Sequence, residues 1–211
     1  CMHWGKAMSA KLSCASLHKE RPLHIVGDPT LLQRPLVALF CSVKCPGKLI
    51  LETYELAKRF RDEGITVISG LHSPMEQECL RILLRSPHKV IWCLARGLYS
   101  KIPATPVDCR PAVADGRLVM VTPFADTVTR ITRETAMQSN RVAAELASAV
   151  VVAHAAPGGK MEALCRDLLA AGKPLFTFDH PENALLISHG AKRIDSPEFD
   201  EFLAECLTPL A

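Results

Sequence analysis

Short, fully apolar runs alternate with longer amphipathic stretches along the chain after Pro22. The apolar runs are centred near Ala38, Val67, Ile91, Val119, Val151 and Phe176. Strands that are apolar throughout are buried on both faces, and strands that alternate with helices form parallel sheets. Six such runs are too few for a closed eight-stranded barrel. The pattern therefore predicts an α/β fold with a Rossmann-like, doubly wound, mostly parallel sheet in three layers.

The amphipathic stretches carry helix boundaries that can be recognised from the sequence. Helices are predicted over 49–63, from about 134 to 147, over 161–171 and after Ser196-Pro197. Another follows the second strand, where Ser73 can cap the helix, Pro74 takes its first position and Glu76 its third. The proline-rich stretch 97–116 is predicted to be a connection.

Residues 1–21 lack this pattern and are interpreted as a tail or the remnant of a preceding segment, which leaves 22–211 as a single domain. No apolar run approaches the ~18 residues that span a bilayer, and the first residues do not form a secretory signal. We therefore expect a cytoplasmic protein without a membrane partner. The nine cysteines are scattered, several of them in apolar runs, which indicates reduced thiols and not a disulfide framework.

Ligands of open parallel sheets bind beyond the carboxyl ends of the strands, so the turns after the strands hold the candidate site. Gly158, Gly159 and Lys160 lie between a strand and a helix. Glycine lets backbone N–H groups approach a phosphate, and the helix N-terminus and the lysine add positive potential. The alternative is a tight turn whose glycines serve geometry alone.

Two further turns carry polar residues of the same kind. Ser42, Lys44 and Lys48 follow the first strand, where the serine can donate a hydrogen bond and the lysines can neutralise a phosphate. A solvated lysine turn explains them equally well. Ser69 and Gly70 end the second strand, and Ser69 either contacts a ligand or caps the turn.

Asn140 and Arg141 are adjacent in a predicted helix. An arginine there can bind a phosphate bidentately, or it can pair with Glu145 one turn further along. The net charge of +3 permits a nucleic-acid or nucleotide partner without requiring one. The sequence has no His-Glu-x-x-His motif, nucleophile elbow or acidic metal loop. We therefore expect neither a bound metal nor a cofactor.

Four segments, in order along the chain, carry a family resemblance. They are 23–32 before the first strand, Ser69-Gly70-Leu71, Asn140-Arg141 with the apolar positions up to Val152, and 183–191. Their order and spacing resemble the DNA-processing protein A family over 22–194. The resemblance implies a protein that binds single-stranded DNA, hands it to a recombinase and acts in DNA uptake and recombination. It also implies a homodimer, and the apolar stripe of Phe199, Phe202 and Leu203 could form the interface or dock on the sheet.

Some positions of that family pattern are changed. The Gly-Ser-Arg that follows its first strand corresponds to 41–44, and the first arginine of its Arg-Asn-Arg corresponds to Ser139. More distantly, 157–162 resembles the Pro-Gly-Gly-x-Gly-Thr signature of the Lonely Guy phosphoribohydrolases. That resemblance implies a catalytic role for Glu162, although the Gly-Thr is missing here.

Three functions are compatible with these observations. The first is binding of single-stranded DNA or a nucleotide without chemistry, at Ser42, Lys44, Lys48, Ser69, Gly70, Asn140, Arg141, Gly158, Gly159 and Lys160. The second is hydrolysis of a nucleotide with Glu162 as acid and base, and the third is nucleotide sensing by the same fold. The missing Gly-Thr argues against hydrolysis. An aromatic content of 5% offers few stacking platforms for DNA bases.

Overall fold

The computed structural model describes residues 22–98 and 109–207. Within these residues eight strands form one sheet in the order β1-β5-β4-β3-β2-β6-β7-β8. The strands are β1 His24–Val26, β2 Val37–Phe40, β3 Val67–Ser69, β4 Val90–Cys93, β5 Leu118–Thr122, β6 Ala149–Val152, β7 Leu175–Thr177 and β8 Lys192–Arg193. β1 is antiparallel to β5, and all other pairings are parallel. The predicted doubly wound α/β class and its six predicted strands are confirmed.

Helices connect these strands. They are α1 Gly47–Glu63, α2 Pro74–Leu83, α3 Arg110–Ala114, α4 Arg133–Leu146, α5 Lys160–Ala170, α6 Ala184–Ser188 and α7 Pro197–Leu207. Ser73 caps α2 as predicted, because its hydroxyl accepts the Glu76 N–H while the Glu76 side chain accepts the Ser73 N–H. The apolar pattern does not predict β1, β8, α3 or α6, since elements of two to five residues are too short to show a period.

The sheet separates two hydrophobic cores. In β2, Ala38 and Phe40 pack beneath α4 and α5, whereas Val37 and Leu39 pack beneath α1 and α2. The result is the predicted three-layer arrangement. The stripe on α7 belongs to the second core: Phe199 and Leu203 are 0% and 1% exposed. Of the two roles considered for this stripe, docking on the sheet is the one observed.

The strand order reverses between β2 and β6. From β2 the chain continues through α1 to β3 on one side, and from β6 it continues through α5 to β7 on the other. Because α1 and α5 cover opposite faces, a crevice opens between the carboxyl ends of the two strands. The register pairs Phe40 with Val152, so the turns after both strands begin at the same level. α4 follows β5 and therefore also begins at this edge of the sheet.

None of the described helices combines the length and the apolar character that a bilayer crossing requires. The cysteines of the described residues are free thiols: Cys41, Cys45, Cys79, Cys93, Cys109, Cys165 and Cys206. The predicted N-terminal tail or remnant, 1–21, lies outside the described residues, and the division into this segment and one domain stays a prediction.

Candidate functional site

A cavity of about 250 Å³ opens at the point where the strand order reverses. The residues that line it are Cys41, Ser42, Val43, His72, Arg133, Ala136, Met137, Asn140, Lys160 and Met161. They come from the turns after β2 and β3, from α4 and from the first turn of α5. Four segments that are distant in sequence thus converge where ligands bind in this class of fold.

One face of α4 forms a wall of the cavity. Arg133, Ala136, Met137 and Asn140 follow the i, i+3, i+4, i+7 spacing of a single helix face. Thr132 caps the helix just before them. Arg133 is exposed at the first helical position and forms no ion pair with any described residue. The wall therefore runs from a cation at the solvent end to a buried amide two turns further in.

That buried amide, Asn140, has an unsatisfied polar atom. The residue is 3% exposed, and its Oδ1 has no hydrogen-bond partner among the described residues. A Cβ on Gly70 would lie 2.3 Å from Asn140 Oδ1 and 2.6 Å from the ring of His72. Glycine is therefore required for this close approach. A buried amide oxygen without a partner costs about 1–3 kcal/mol, which a hydrogen bond donated by a ligand to Oδ1 would recover.

Ser42 connects the turn after β2 to the turn after β6. Its N–H donates to the carbonyl of His154 at 2.9 Å, and its Oγ accepts the N–H of Ala156 at 3.0 Å. A hydroxyl can accept and donate at the same time. Since Ser42 lines the cavity, its proton is available to a ligand anion.

The turn before α5 contributes its helix N-terminus and a lysine. Gly158 adopts a φ of +70°, which favours glycine, and Gly159 caps α5. The N–H of Gly159 donates to the carbonyl of Ala156 at 2.9 Å and is not available to an anion. The first N–H groups of α5 have no acceptor within the helix, and they are the ones that can bind an anion here. Lys160 Nζ lies 3.7 Å from Glu134 Oε1, with both side chains largely exposed. Such a pair holds its lysine weakly.

Lys44 and Lys48 do not line the cavity. Lys44 is exposed next to Val43 and forms no ion pair with any described residue. Lys48 Nζ lies 3.7 Å from Glu52 Oε1, one turn along α1. Both lysines lie outside the lining, Lys44 one residue beyond Val43 and Lys48 in the first turn of α1.

Ser69 and Arg141 also lie outside the lining. Ser69 is buried, where its hydroxyl donates to Glu76 Oε2 at 3.4 Å and accepts the N–H of Leu71 at 3.2 Å. Arg141 is exposed, and its Nη2 donates to Asp167 Oδ2 at 2.7 Å. Of the adjacent residues Asn140 and Arg141, the first therefore lies in the cavity and the second on the outer surface of α4 and α5.

His72 lines the cavity as a neutral ring. Burial lowers the pKa of His72 to about 4. Its Nε2 lies 2.8 Å from Ser139 Oγ, whose own hydroxyl donates to the carbonyl of Ala136 at 2.9 Å. The serine oxygen is therefore an acceptor, and Nε2 carries the imidazole proton. His72 consequently brings no positive charge to an anion at neutral pH.

Glu162, the candidate acid and base of the enzymatic alternative, does not line the cavity. It is 5% exposed, and its Oε1 lies 2.9 Å from Arg166 Nε and 3.8 Å from His189 Nδ1. Among the described residues, no carboxylate lines the cavity, and no group of three or more His, Cys, Asp and Glu side chains is arranged to hold a metal ion. Glu162 is therefore not placed to act on a ligand in this cavity.

The sequence profile of the family described as DNA recombination-mediator protein A matches residues 6–199. The chain belongs to this family. No curated protein sequence matches it significantly. Among solved structures, DNA processing protein A from Helicobacter pylori, which has a single-stranded DNA binding mode, is 18% identical with a TM-score of 0.70. That comparison covers 95% of this chain and 94% of the other.

Two further structures share the fold. DNA processing protein A from Streptococcus pneumoniae is 18% identical with a TM-score of 0.68, over 84% of this chain and 64% of the other. The present chain thus spans less than two thirds of that protein. The molybdenum cofactor binding protein from Rippkaea orientalis is 15% identical with a TM-score of 0.55, over 83% of this chain and 98% of the other. At these identities the likeness shows the fold alone.

Three of the ten lining residues, Ser42, Asn140 and Lys160, were predicted from the sequence. The other seven were not: Cys41, Val43, His72, Arg133, Ala136, Met137 and Met161. For the α4 wall a signal was available, because stepping back from Asn140 by one helical turn reaches Met137 and by two reaches Arg133. For His72 there was none. Leu71 adopts a φ of +56°, a left-handed conformation that leucine rarely takes, so the sequence alone does not predict how the turn after β3 directs the next residue.

Proposed function

We propose that this member of the DNA recombination-mediator protein A family binds single-stranded DNA, with one backbone phosphate in the cavity. The observation that carries the proposal is the convergence of Ser42, Arg133, Asn140 and Lys160 on one cavity at the carboxyl edge of the sheet. A hydroxyl, an amide and two cations are the groups with which proteins contact DNA phosphates. The single-stranded DNA binding mode of the Helicobacter pylori relative supports the same ligand class.

The size of the cavity favours part of a polymer over a whole small molecule. Its volume of about 250 Å³ is below the ~300–1,000 Å³ of typical small-ligand pockets. A phosphate and part of its sugar fill such a space, while the strand continues over the surface. Val43 and Ile131, which are 71% and 57% exposed, offer aliphatic contacts to bases in a chain with few aromatic residues.

The remaining predicted residues fit secondary roles in this arrangement. Lys44 and Lys48 contact the phosphates on either side of the one in the cavity, and Arg141 does so when Asp167 releases it. Gly158 and Gly159 shape the turn, Gly70 admits the Asn140 amide, and Ser69 supports the turn after β3. A recombinase partner, homodimeric assembly, a role in DNA uptake and recombination, and a cytoplasmic location belong to the same proposal through family membership.

Binding of oligothymidylates and of thymidine monophosphate tests the ligand class. Fluorescence anisotropy with labelled oligothymidylates of three to twenty nucleotides should show affinity that rises with length. The monophosphate, added as a competitor, should displace the oligonucleotide only weakly. Displacement at equal concentration would show that the cavity takes a mononucleotide, and absence of oligonucleotide binding at low salt would contradict the proposal.

A further inference from the structure

A buried carboxylate lies directly behind the cavity. Glu76, the third residue of α2, is 1% exposed. Its Oε1 accepts the N–H of Cys41 at 2.8 Å, and its Oε2 accepts the N–H of His72 at 2.7 Å. At 3.4 Å, Oε2 also accepts the N–H of Ser73 and the hydroxyl of Ser69. Four donors therefore converge on one side chain.

These hydrogen bonds join two turns that line the cavity. Cys41 and His72 are both lining residues, and Cys41 immediately precedes Ser42. Along the chain, the turn after β2 and the turn after β3 are separated by the whole of α1 and β3. The Glu76 carboxylate consequently fixes their relative position, and with it the position of the Ser42 hydroxyl.

The charge of Glu76 has no cationic partner among the described residues. Two titratable groups interact with its charge, the thiols of Cys41 on the turn after β2 and of Cys79 on α2, and His72 donates its N–H to the carboxylate. Cys45, Tyr54 on α1 and Glu78 on α2 interact in turn with one or both of these thiols. The two nearest thiols, Cys41 and Cys79, and the His72 ring are kept neutral by burial. Within the described part of the chain, the four donors and the α2 N-terminus are what offset the negative charge. Burial outweighs them and raises the pKa of Glu76 to about 7.

We propose that Glu76 is a positioning residue for phosphate binding and that DNA binding is coupled to uptake of a proton by its carboxylate. This inference rests on the proposed function. A phosphate in the cavity is repelled by ionised Glu76 and not by its neutral form. By linkage, the bound anion then favours the protonated carboxyl, and the proton favours the bound anion. Affinity should therefore rise as the pH falls through neutrality, by up to about tenfold per pH unit.

Calorimetry with an oligothymidylate tests the coupling, because thymine does not titrate near neutrality. Titrations at pH 7 in buffers of different ionisation enthalpy should show net proton uptake by the wild-type protein. Glu76→Gln should abolish the uptake and flatten the pH profile of affinity. Glu78→Gln, the same change on a partly exposed residue of the same helix, should leave both as in the wild type. Proton uptake by Glu76→Gln equal to that of the wild type would overturn the inference.

Wild-type protein alone provides a second readout in case Glu76→Gln does not fold. With glutamate labelled by ¹³C at the carboxyl carbon, NMR should show one carboxyl that titrates near neutrality and whose midpoint moves to higher pH when the oligothymidylate is added. A midpoint that DNA does not move would refute the coupling while the proposed function stands. If the oligonucleotide does not bind at all, the proposed function and this inference fail together.

Discussion

The side-chain oxygen of Asn140 lies only 2.3 Å from the point where a Cβ of Gly70 would be. This relationship connects α4 to the end of β3 and holds the amide in the cavity, where its oxygen has no hydrogen-bond partner among the described residues. Because backbone lies on one side of the contact and a buried helix on the other, neither residue can move far.

Gly70→Ala should therefore displace the amide of Asn140 and the ring of His72. We expect at least a tenfold loss of oligothymidylate affinity, and a loss of about 1–3 kcal/mol in the free energy of unfolding from overpacking. Anisotropy and urea denaturation measure the two effects. Gly47→Ala is the matched control, since nothing lies within 4 Å of its added Cβ. Wild-type affinity in Gly70→Ala would show that the amide does not contact the ligand.

Removing the two cations of the cavity should change the salt dependence of binding. Each lost phosphate contact should reduce the slope of log K against log salt by about 0.7, so Arg133→Ala with Lys160→Ala should reduce it by about 1.4. Lys58→Ala, an exposed lysine three turns along α1, should leave the slope unchanged.

Two cations outside the cavity lining provide a second comparison. Lys44→Ala with Arg141→Ala should reduce the slope for long oligonucleotides by a similar amount and weaken binding to all sequences alike. Trithymidylate is too short to contact the cavity and both outer cations at once, so for this ligand the changes at Lys44 and Arg141 should matter less than those at Arg133 and Lys160. The opposite order would place the phosphate near Lys44 and Arg141.

Glu134→Gln should strengthen binding. Glu134 Oε1 lies 3.7 Å from Lys160 Nζ and competes with a phosphate for the lysine. Both side chains are largely exposed, so the competition is weak, and we expect a gain of about twofold to fivefold at low salt. Anisotropy in 50 mM and 200 mM salt should show the gain shrinking at the higher concentration. Weaker binding by Glu134→Gln would mean that the pair positions Lys160 for the ligand.

The stability of the protein without ligand should report the state of Glu76. Burial raises the pKa of this carboxyl from 4.5 to about 7. Between pH 4.5 and 7 the folded protein therefore keeps a proton on Glu76 that the unfolded chain has released. The stability that this bound proton contributes is fully present below pH 4.5 and is lost as the pH rises through 7. Relative to Glu76→Gln, the wild-type free energy of unfolding should fall by on the order of 2 kcal/mol between pH 5 and 8. A constant difference in urea denaturation would show that Glu76 is ionised throughout.

The fold could be predicted further than the site. Each parallel strand from β2 to β7 lies in an apolar run of the sequence. Ser73, Pro74 and Glu76 predict where α2 begins. β1 and β8 leave no such trace, because three and two residues cannot show a period. Their pairing depends on neighbouring strands that are distant in sequence.

Within the site, strand-to-helix turns were predictable because their position follows from the sheet. Ser42 and Lys160 were found in this way, whereas Asn140 was found through the resemblance that Asn140-Arg141 carries. Glu76 was recognised only as part of a helix cap, although its carboxylate also accepts the N–H of Cys41, 35 residues earlier in the chain. Contacts of that kind depend on how two turns approach each other, which no local sequence pattern encodes.

The most direct measurement is a crystal structure of the protein with trithymidylate. We expect a phosphate within hydrogen-bonding distance of the Ser42 hydroxyl and the Asn140 amide, with Lys160 Nζ turned from Glu134 toward it. An oligonucleotide bound elsewhere on the protein, with the cavity between β2 and β6 holding only water, would contradict this expectation.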